Sequence, residues 1–321
     1  MNFTQQLQNQ AAQTNSRILF PRSSDERVLY AAEYLATNNI AEVFLVVNDH
    51  VKPSIHHPNV HWLHPKSDPY LPQLIEHLFT MRESKGWTLE MVKNALNDPL
   101  YFGACYLALG FVDTCVAGSI ATTGDVIRAA IHSIGLHDES ETISSSFIME
   151  LEEQRLVSFA DCAVIPEPTD TQLANIAYDA AKTFESLTGL PAKIALLSFS
   201  TRGSAEHERV TKVRDALSYF RKRYNSYPID GELQFDAAWD EAVAKRKAPD
   251  SSVAGDANVF VFPNLESGNI GYKLVQRLAG AMAMGPILQG LKKPMLDLSR
   301  GCSAQDIIHT SYLGILLSQS K

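Results

Sequence analysis

The strongest constraint on the fold is a recurring unit: a short apolar run, a small-residue loop, then helical periodicity. Arg17-Ile18-Leu19-Phe20-Pro21 is such a run, stopped by proline, and Asp25-Glu26-Arg27-Val28-Leu29-Tyr30-Ala31-Ala32 follows with acids in its first turn. Ala41–Val47 reads as a buried strand, and Cys115–Gly118 as another before Thr122-Thr123-Gly124-Asp125 and a helix through Ile131. Lys193–Phe199 precedes Gly203 and a helical stretch to about Arg223, and Asn258–Pro263 is a further strand. Apolar strands that alternate with helices require a largely parallel sheet covered on both faces, so the fold class is α/β.

The chain has 321 residues, which allows one large or two medium domains, and 45% of them are hydrophobic, enough for a sizeable core. Polar residues after a helix ending at Gly135 set the likeliest domain junction near 136–139. A C-terminal helix is expected from Ala304 to Gln319. No fixed-period repeat is visible.

The net charge of −8 opposes general nucleic-acid binding, and any anionic substrate must be drawn in by a few local Arg or Lys residues. The four cysteines never form C-x-x-C, which argues against a disulfide framework or zinc ribbon and fits a reducing cytoplasm. Residues 1–16 lack the pattern of a signal peptide, and the most apolar stretch, Leu278–Leu291, is interrupted by Gly280, Gly285 and Pro286 and too short to span a bilayer. We therefore expect no membrane and no nucleic-acid partner.

Three junctions combine small hydroxyl residues, Gly and a nearby Arg: Thr122-Thr123-Gly124-Asp125 with Arg128, Ser198–Ser204 with Arg202, and Leu298–Ser303 with Arg300. Unpaired N–H groups at a helix start favour phosphate, and an Arg adds a bidentate fork. Each junction alone is also an ordinary cap or turn; together they favour a phosphorylated ligand. No Walker A loop occurs and no G-x-G-x-x-G follows a strand, which weighs against nucleotide hydrolysis and hydride transfer. His56, His57, His61 and His64 lie in a polar, Pro-containing stretch that reads as a surface loop, so no metal is expected. Ser303-Ala304-Gln305-Asp306 matches a capping box, the structural reading of Asp306; the functional reading is a general base beside the Ser299–Arg300 anion site.

Seven collinear segments, including Thr122-Thr123 with Val126–Ala130, Ser145–Met149, Ser198–Ser204, Asp230–Ala238, Asn258–Leu265 with Gly268–Lys273, and Gly285–Gly290 running to Asp297–Ser303, resemble phosphate acetyltransferases (phosphotransacetylases) over about residues 17–318. The resemblance implies transfer of an acetyl group between acetyl phosphate and coenzyme A, with coenzyme A a substrate, no resident cofactor and no metal. It also implies a homodimer of the short form and two α/β domains flanking a cleft, in an isocitrate/isopropylmalate dehydrogenase-like architecture. The first domain would hold residues 1–138 and 288–321, the second 139–287. On the matching positions Ser299 would stabilise the transition state, Arg300 hold the phosphate and Asp306 act as base. Arg128 and Arg82 would assist substrate binding, and Thr122, Thr123, Arg202, Asn269 and Lys273 complete the substrate-binding set. Departures at Gly124, at Arg22-Ser23-Ser24, at Leu296 and at His309 bear on acyl-chain preference and coenzyme contacts.

A thiol near ~8.5 and an Asp near ~3.9 differ by about 4.6 units, so full proton transfer would cost roughly 6 kcal/mol. Desolvation of Asp306 is therefore expected, and His309, one turn along, is a candidate relay that would titrate near neutral pH. A covalent route through Cys302 is the rival chemistry, against a small residue buried under the loop. Alternatives for the whole chain are a propionyl- or butyryl-preferring acyltransferase, a decarboxylating dehydrogenase, which would need paired Asp metal ligands, and a non-catalytic sensor of coenzyme A or acyl phosphate.

Overall fold

The computed structural model describes residues 2–47, 54–224 and 226–319. They form two compact units, the first from 1–137 and 291–321, the second from 138–290.

The first unit opens with α1 (Phe3–Ala11), in a stretch whose Gln-rich composition suggests no element. An Asn2/Gln5 capping box starts it, and Phe3, Leu7 and Ala11, spaced four apart, are buried. There follow β1 (Ser16–Phe20), α2 (Glu26–Thr37), β2 (Ala41–Val46), β3 (Val60–Leu63), α3 (Leu71–Arg82), α4 (Leu89–Ala95), α5 (Pro99–Ala108), β4 (Thr114–Ala117) and α6 (Thr123–Ser133). After the second unit the chain returns with β11 (Met295–Asp297) and α12 (Ala304–Gln319). The sheet order is β11-β4-β1-β2-β3 and every pair is parallel.

This order puts the carboxyl ends of β11, β4 and β1 side by side. The chain winds outward from β1 to β3, then crosses back to β4, so the order reverses between β1 and β4. In open α/β sheets such a reversal leaves a crevice beyond the strand ends. Helix α12 packs on α1, α2 and β4 with Ile307, Ile308, Leu313 and Ile315 buried. Its Gly314 meets the sheet so closely that a Cβ would lie 2.5 Å from Thr114 Oγ1.

The second unit runs β5 (Ser144–Glu150), β6 (Leu156–Ala160), α7 (Asp170–Thr188), β7 (Ile194–Leu197), α8 (Glu208–Arg223), β8 (Ile229–Leu233), α9 (Phe235–Trp239), α10 (Glu241–Lys247), β9 (Val259–Val261), α11 (Leu265–Leu278) and β10 (Met282–Gln289). Its sheet, β10-β5-β6-β9-β7-β8, is mixed: β6, β9, β7 and β8 are parallel, whereas β5 pairs antiparallel with both β6 and β10. The α/β class expected from the sequence is what the structure shows, with an antiparallel flank that alternation of strand and helix does not reveal. Part of the apolar stretch Leu278–Leu291 forms that edge strand, and among the described residues no helix is long and apolar enough to cross a membrane.

Candidate functional site

At the carboxyl edge of the first sheet, Leu298 N donates to Ala117 O (2.8 Å), carrying the β11–β4 ladder one residue past Asp297. The chain then turns, with Cys302 N donating to Ser299 O (2.9 Å), and Ser299 and Arg300 are exposed at the tip. Ser303 opens α12: its Oγ accepts Asp306 N (3.1 Å), and Asp306 Oδ2 accepts Ser303 N (2.8 Å) and Ser303 Oγ (2.9 Å). The capping box is thus real, and it aims the Asp306 carboxylate back toward the loop that carries Ser299 and Arg300. Asp306 itself is exposed, so the desolvation expected for a base at this position is not present.

Arg27 clamps this loop, a role sequence reasoning missed. Its Nη1 donates to the carbonyls of Arg300 (3.0 Å) and Cys302 (2.7 Å), and its Nη2 to Ser119 O (3.0 Å) and Asp25 Oδ2 (2.8 Å). One guanidinium from the start of α2 therefore ties together the loops that follow β1, β4 and β11. Burial alone would raise Asp25, but the Arg27 guanidinium, Ser119 and the Arg27 N–H hold its carboxyl below the ordinary value. The available signal was Asp25-Glu26-Arg27 at the start of a helix, with four residues between it and the end of β1.

Thr122 caps α6, accepting Asp125 N (3.2 Å) and donating to Asp125 Oδ2 (2.7 Å). Thr123 Oγ1 donates to Asp297 Oδ2 (2.6 Å). Both hydroxyls offered to a phosphate by the sequence already have protein partners. Arg128, exposed on α6, reaches Asp125 Oδ1 through Nη1 (2.8 Å). Arg82, at the end of α3, lies 5.6 Å from the centre of the Trp87 ring, and its Nε is buried without a hydrogen-bond partner among the described residues. Burial lowers the pKa of His132, whose Nδ1 meets Tyr101 OH at 2.8 Å, and Arg82 and Arg128 lower it further, so both guanidiniums act on one imidazole. Tertiary structure thus turns Arg82 and Arg128, 46 positions apart in the numbering, on the same imidazole.

Burial holds His309 below its ordinary value against the pull of Asp306, and its Nε2 accepts from Gln305 Nε2 (2.8 Å). The titration near neutral pH expected for a relay therefore moves to lower pH. Cys302 is buried, and that burial pushes its thiol up despite Arg27, the behaviour of a packed residue rather than a nucleophile.

The second unit departs from the sequence reading at Ser198–Ser204. Helix α8 starts only at Glu208, so this loop is not a helix N-terminus. Two of its donors are spent on the protein's own carboxylate: Glu232 accepts Gly203 N (2.8 Å) and Ser200 Oγ (3.0 Å), and α8 adds Arg214 Nε (2.9 Å). Burial opposes this charge, but Arg214, the Gly203 N–H, its own N–H and the Ser200 hydroxyl hold Glu232 down at about 2. Arg202 pairs with Asp230 (2.5 Å). On α11, Asn269 Nδ2 donates to Cys162 O (2.9 Å) and Lys273 Nζ to Asn269 Oδ1 (2.7 Å), one turn apart. A cavity of about 340 Å³ opens nearby, with Leu197, Phe199, Arg209 and Phe262 among its walls. His61 of the histidine stretch lies against Glu42, and among the described residues no three His, Cys, Asp or Glu side chains group as metal ligands would.

Fold and residues together describe an α/β protein with arginine-bearing loops at parallel strand ends, an arrangement able to take a phosphorylated ligand. The chain belongs to the phosphate acetyl/butaryl transferase family, whose model matches residues 2–315. It is 41% identical over 320 residues to a phosphate acetyltransferase of Clostridium acetobutylicum, covering 96% of each chain. Among solved structures it resembles a phosphotransacetylase from Streptococcus pyogenes (TM-score 0.92, 37% identity, 99% of this chain and 98% of that one). It also resembles a phosphotransacetylase from Staphylococcus aureus (TM-score 0.89, 36% identity, 98% of each).

Proposed function

We propose that the protein transfers an acetyl group reversibly between acetyl phosphate and coenzyme A, acetyl-CoA + phosphate = CoA + acetyl phosphate. The observation that carries this reading is the loop after β11. It presents Ser299 and Arg300 in solvent and ends in a cap whose carboxylate is Asp306. The relatives named phosphate acetyltransferase support it along nearly the whole chain.

In the mechanism, the sulfur of the coenzyme A thiol attacks the acetyl carbonyl as its proton departs, the S–C bond forms, and the C–O bond to phosphate breaks with its electron pair leaving on phosphate. Arg300 and Arg128 hold the departing phosphate, with Arg82 as a further cation. Ser299 donates to the carbonyl oxygen as it becomes an oxyanion. Asp306 takes the thiol proton. Because its carboxylate stands in solvent, the proton moves as the S–C bond forms rather than in a prior, uphill step. Asn269 and Lys273 contribute polar contacts to the coenzyme. Thr122 and Thr123 act through the helix start they organise, and Arg202 through the loop it shares with Gly203.

The working form is a homodimer. Helix α11 buries only Gly268 and leaves Ile270 (58% exposed), Leu274 (52%) and Leu278 (82%) along one face, with Met282 (40%) just beyond, a stripe that a second copy would cover. Four unpaired, buried thiols suit a reducing cytoplasm.

The test mixes protein with acetyl phosphate and coenzyme A and follows thioester absorbance, beside propionyl and butyryl phosphate and with Arg300→Ala as control. Turnover fastest with acetyl and lost in the variant is the expected result. Faster turnover with the longer acyl groups would shift the substrate, since a methylene or two is worth only ~1–3 kcal/mol of discrimination. Binding of coenzyme A without turnover would point to a sensor instead.

A further inference from the structure

Asp297, the last residue of β11, is 1% exposed. Its Oδ2 accepts the Thr123 hydroxyl at the first position of α6 (2.6 Å), while its Oδ1 is buried with no hydrogen-bond partner among the described residues. The second oxygen faces Gly118, whose φ of +95° and missing side chain make the room: a Cβ there would stand 2.1 Å from Oδ1. An orphaned carboxylate oxygen in the interior is costly, and an apolar side chain of similar size would avoid that cost. Burial pushes Asp297 up to about 6, with Thr123 and the nearby Leu298 N–H holding it back only in part. What the carboxylate achieves in return is a link no apolar residue could make. It joins the strand that runs into Ser299 and Arg300 to the first turn of the helix that carries Arg128.

We propose that Asp297 is a positioning residue of the phosphate site: by accepting the Thr123 hydroxyl it fixes the start of α6 against the Leu298–Ser303 loop, and so sets the spacing of the Arg128 and Arg300 guanidiniums. The inference rests on the reading of those two arginines as phosphate ligands. It adds a residue that touches no substrate and a bond between two side chains 174 positions apart. A bidentate or paired guanidinium site is sensitive to displacements of a fraction of an ångström, so the effect should fall on phosphate rather than on the thiol substrate.

The experiment compares Thr123→Val, which keeps the shape and removes the donor, with Thr123→Ser, which restores it. In Thr123→Val the KM for acetyl phosphate and the inhibition constant of inorganic phosphate should each rise about tenfold, while kcat and the KM for coenzyme A stay within about threefold. Thr123→Ser should return both phosphate constants to near wild type. Unchanged phosphate constants in Thr123→Val overturn the proposal. So does a uniform loss in all constants that Ser does not restore, because that marks a general structural lesion. Asp297→Leu, which keeps the shape and removes the acceptor, reads the same link from its other side and decides should Thr123→Val fail to fold. A rise of about tenfold in the phosphate inhibition constant upholds the proposal, and a constant within about threefold of wild type overturns it. If the wild-type protein shows no acyl transfer, calorimetric titration with inorganic phosphate reads the same comparison. Failure of the proposed reaction is thereby distinguished from failure of this inference.

Discussion

Arg27 Nη1 donates to the main-chain carbonyl of Cys302 at 2.7 Å, across 275 positions of sequence. With its bonds to Arg300 O and Ser119 O, this one guanidinium sets the position of the loop that bears the proposed transition-state donor. A lysine keeps the charge but offers no planar fork. Arg27→Lys should therefore lower kcat by about tenfold or more while costing only about 1–2 kcal/mol of stability. Steady-state kinetics beside chemical unfolding of the same preparation tests this. A variant with wild-type kcat would show that the loop holds its shape without the clamp.

In the proposed mechanism Ser299 acts on the transition state alone. Its replacement by Ala should reduce kcat by about 100–1000-fold with little change in either KM, the usual cost of losing an oxyanion donor. A rise in KM at constant kcat would make it a ground-state binding residue. Cys302→Ala, by contrast, should retain near-wild-type turnover, because its thiol is buried and pushed up rather than activated. Loss of turnover there would bring the covalent route back.

The dependence of stability on pH follows from two buried carboxyls. Burial raises Asp179 to about 7 and Asp297 to about 6, in each case against a hydroxyl that pulls the other way. Both bind their proton more tightly in the folded state than in the unfolded chain. The stability they confer is complete below the unfolded value of 3.8 and is lost as pH climbs through the folded values. His132 and His309, held low by burial, act in the opposite sense around their unfolded value of 6.5 and, still half-protonated there in the unfolded chain, offset part of the carboxyls' loss in the window that opens at that pH. Glu232, held at about 2, is ionised throughout that window and adds no slope. Between about pH 6.5 and 8 the two carboxyls together should withdraw about 1 kcal/mol, mainly through Asp179, while the histidines restore part of it. The difference in stability between wild type and Asp179→Asn, from denaturant melts at both ends of the window, isolates the carboxyl and should shrink by just under about 1 kcal/mol as pH rises. A difference that stays flat or grows with pH would contradict the assignment.

Gly314 is required by contact rather than by backbone conformation. An added Cβ would meet Thr114 Oγ1 at 2.5 Å and Leu296 Cδ1 at 2.9 Å, where α12 crosses the sheet. Gly314→Ala should cost about 1–3 kcal/mol through overpacking, although alanine is the better helix former. Thermal unfolding of that single variant decides, and a gain in stability would mean that the helix can shift outward freely.

The strands β1, β2, β4, β7 and β9 were legible because parallel strands buried on both faces must be continuous apolar runs, and their helices because caps such as Asp25 and Thr122 precede a 3.6-residue pattern. The loop that carries Ser299 and Arg300, the capping box at Ser303 and Asp306, and the helix from Ala304 to Gln319 were likewise readable, being local in sequence. Short-range chemistry of this kind is written in adjacent residues. What the sequence alone left open were bonds that need folding to exist: Arg27 on the Cys302 carbonyl, Thr123 on Asp297, and Arg82 and Arg128 at one imidazole. At Ser198–Ser204 composition suggested a phosphate cradle, and only the tertiary structure put Glu232 in that place, because a strand distant in sequence supplies the anion. Burial, too, is a property of the assembled unit. It separates the exposed carboxylate of Asp306 from the enclosed one of Asp297, two aspartates nine positions apart that no pattern along the chain distinguishes.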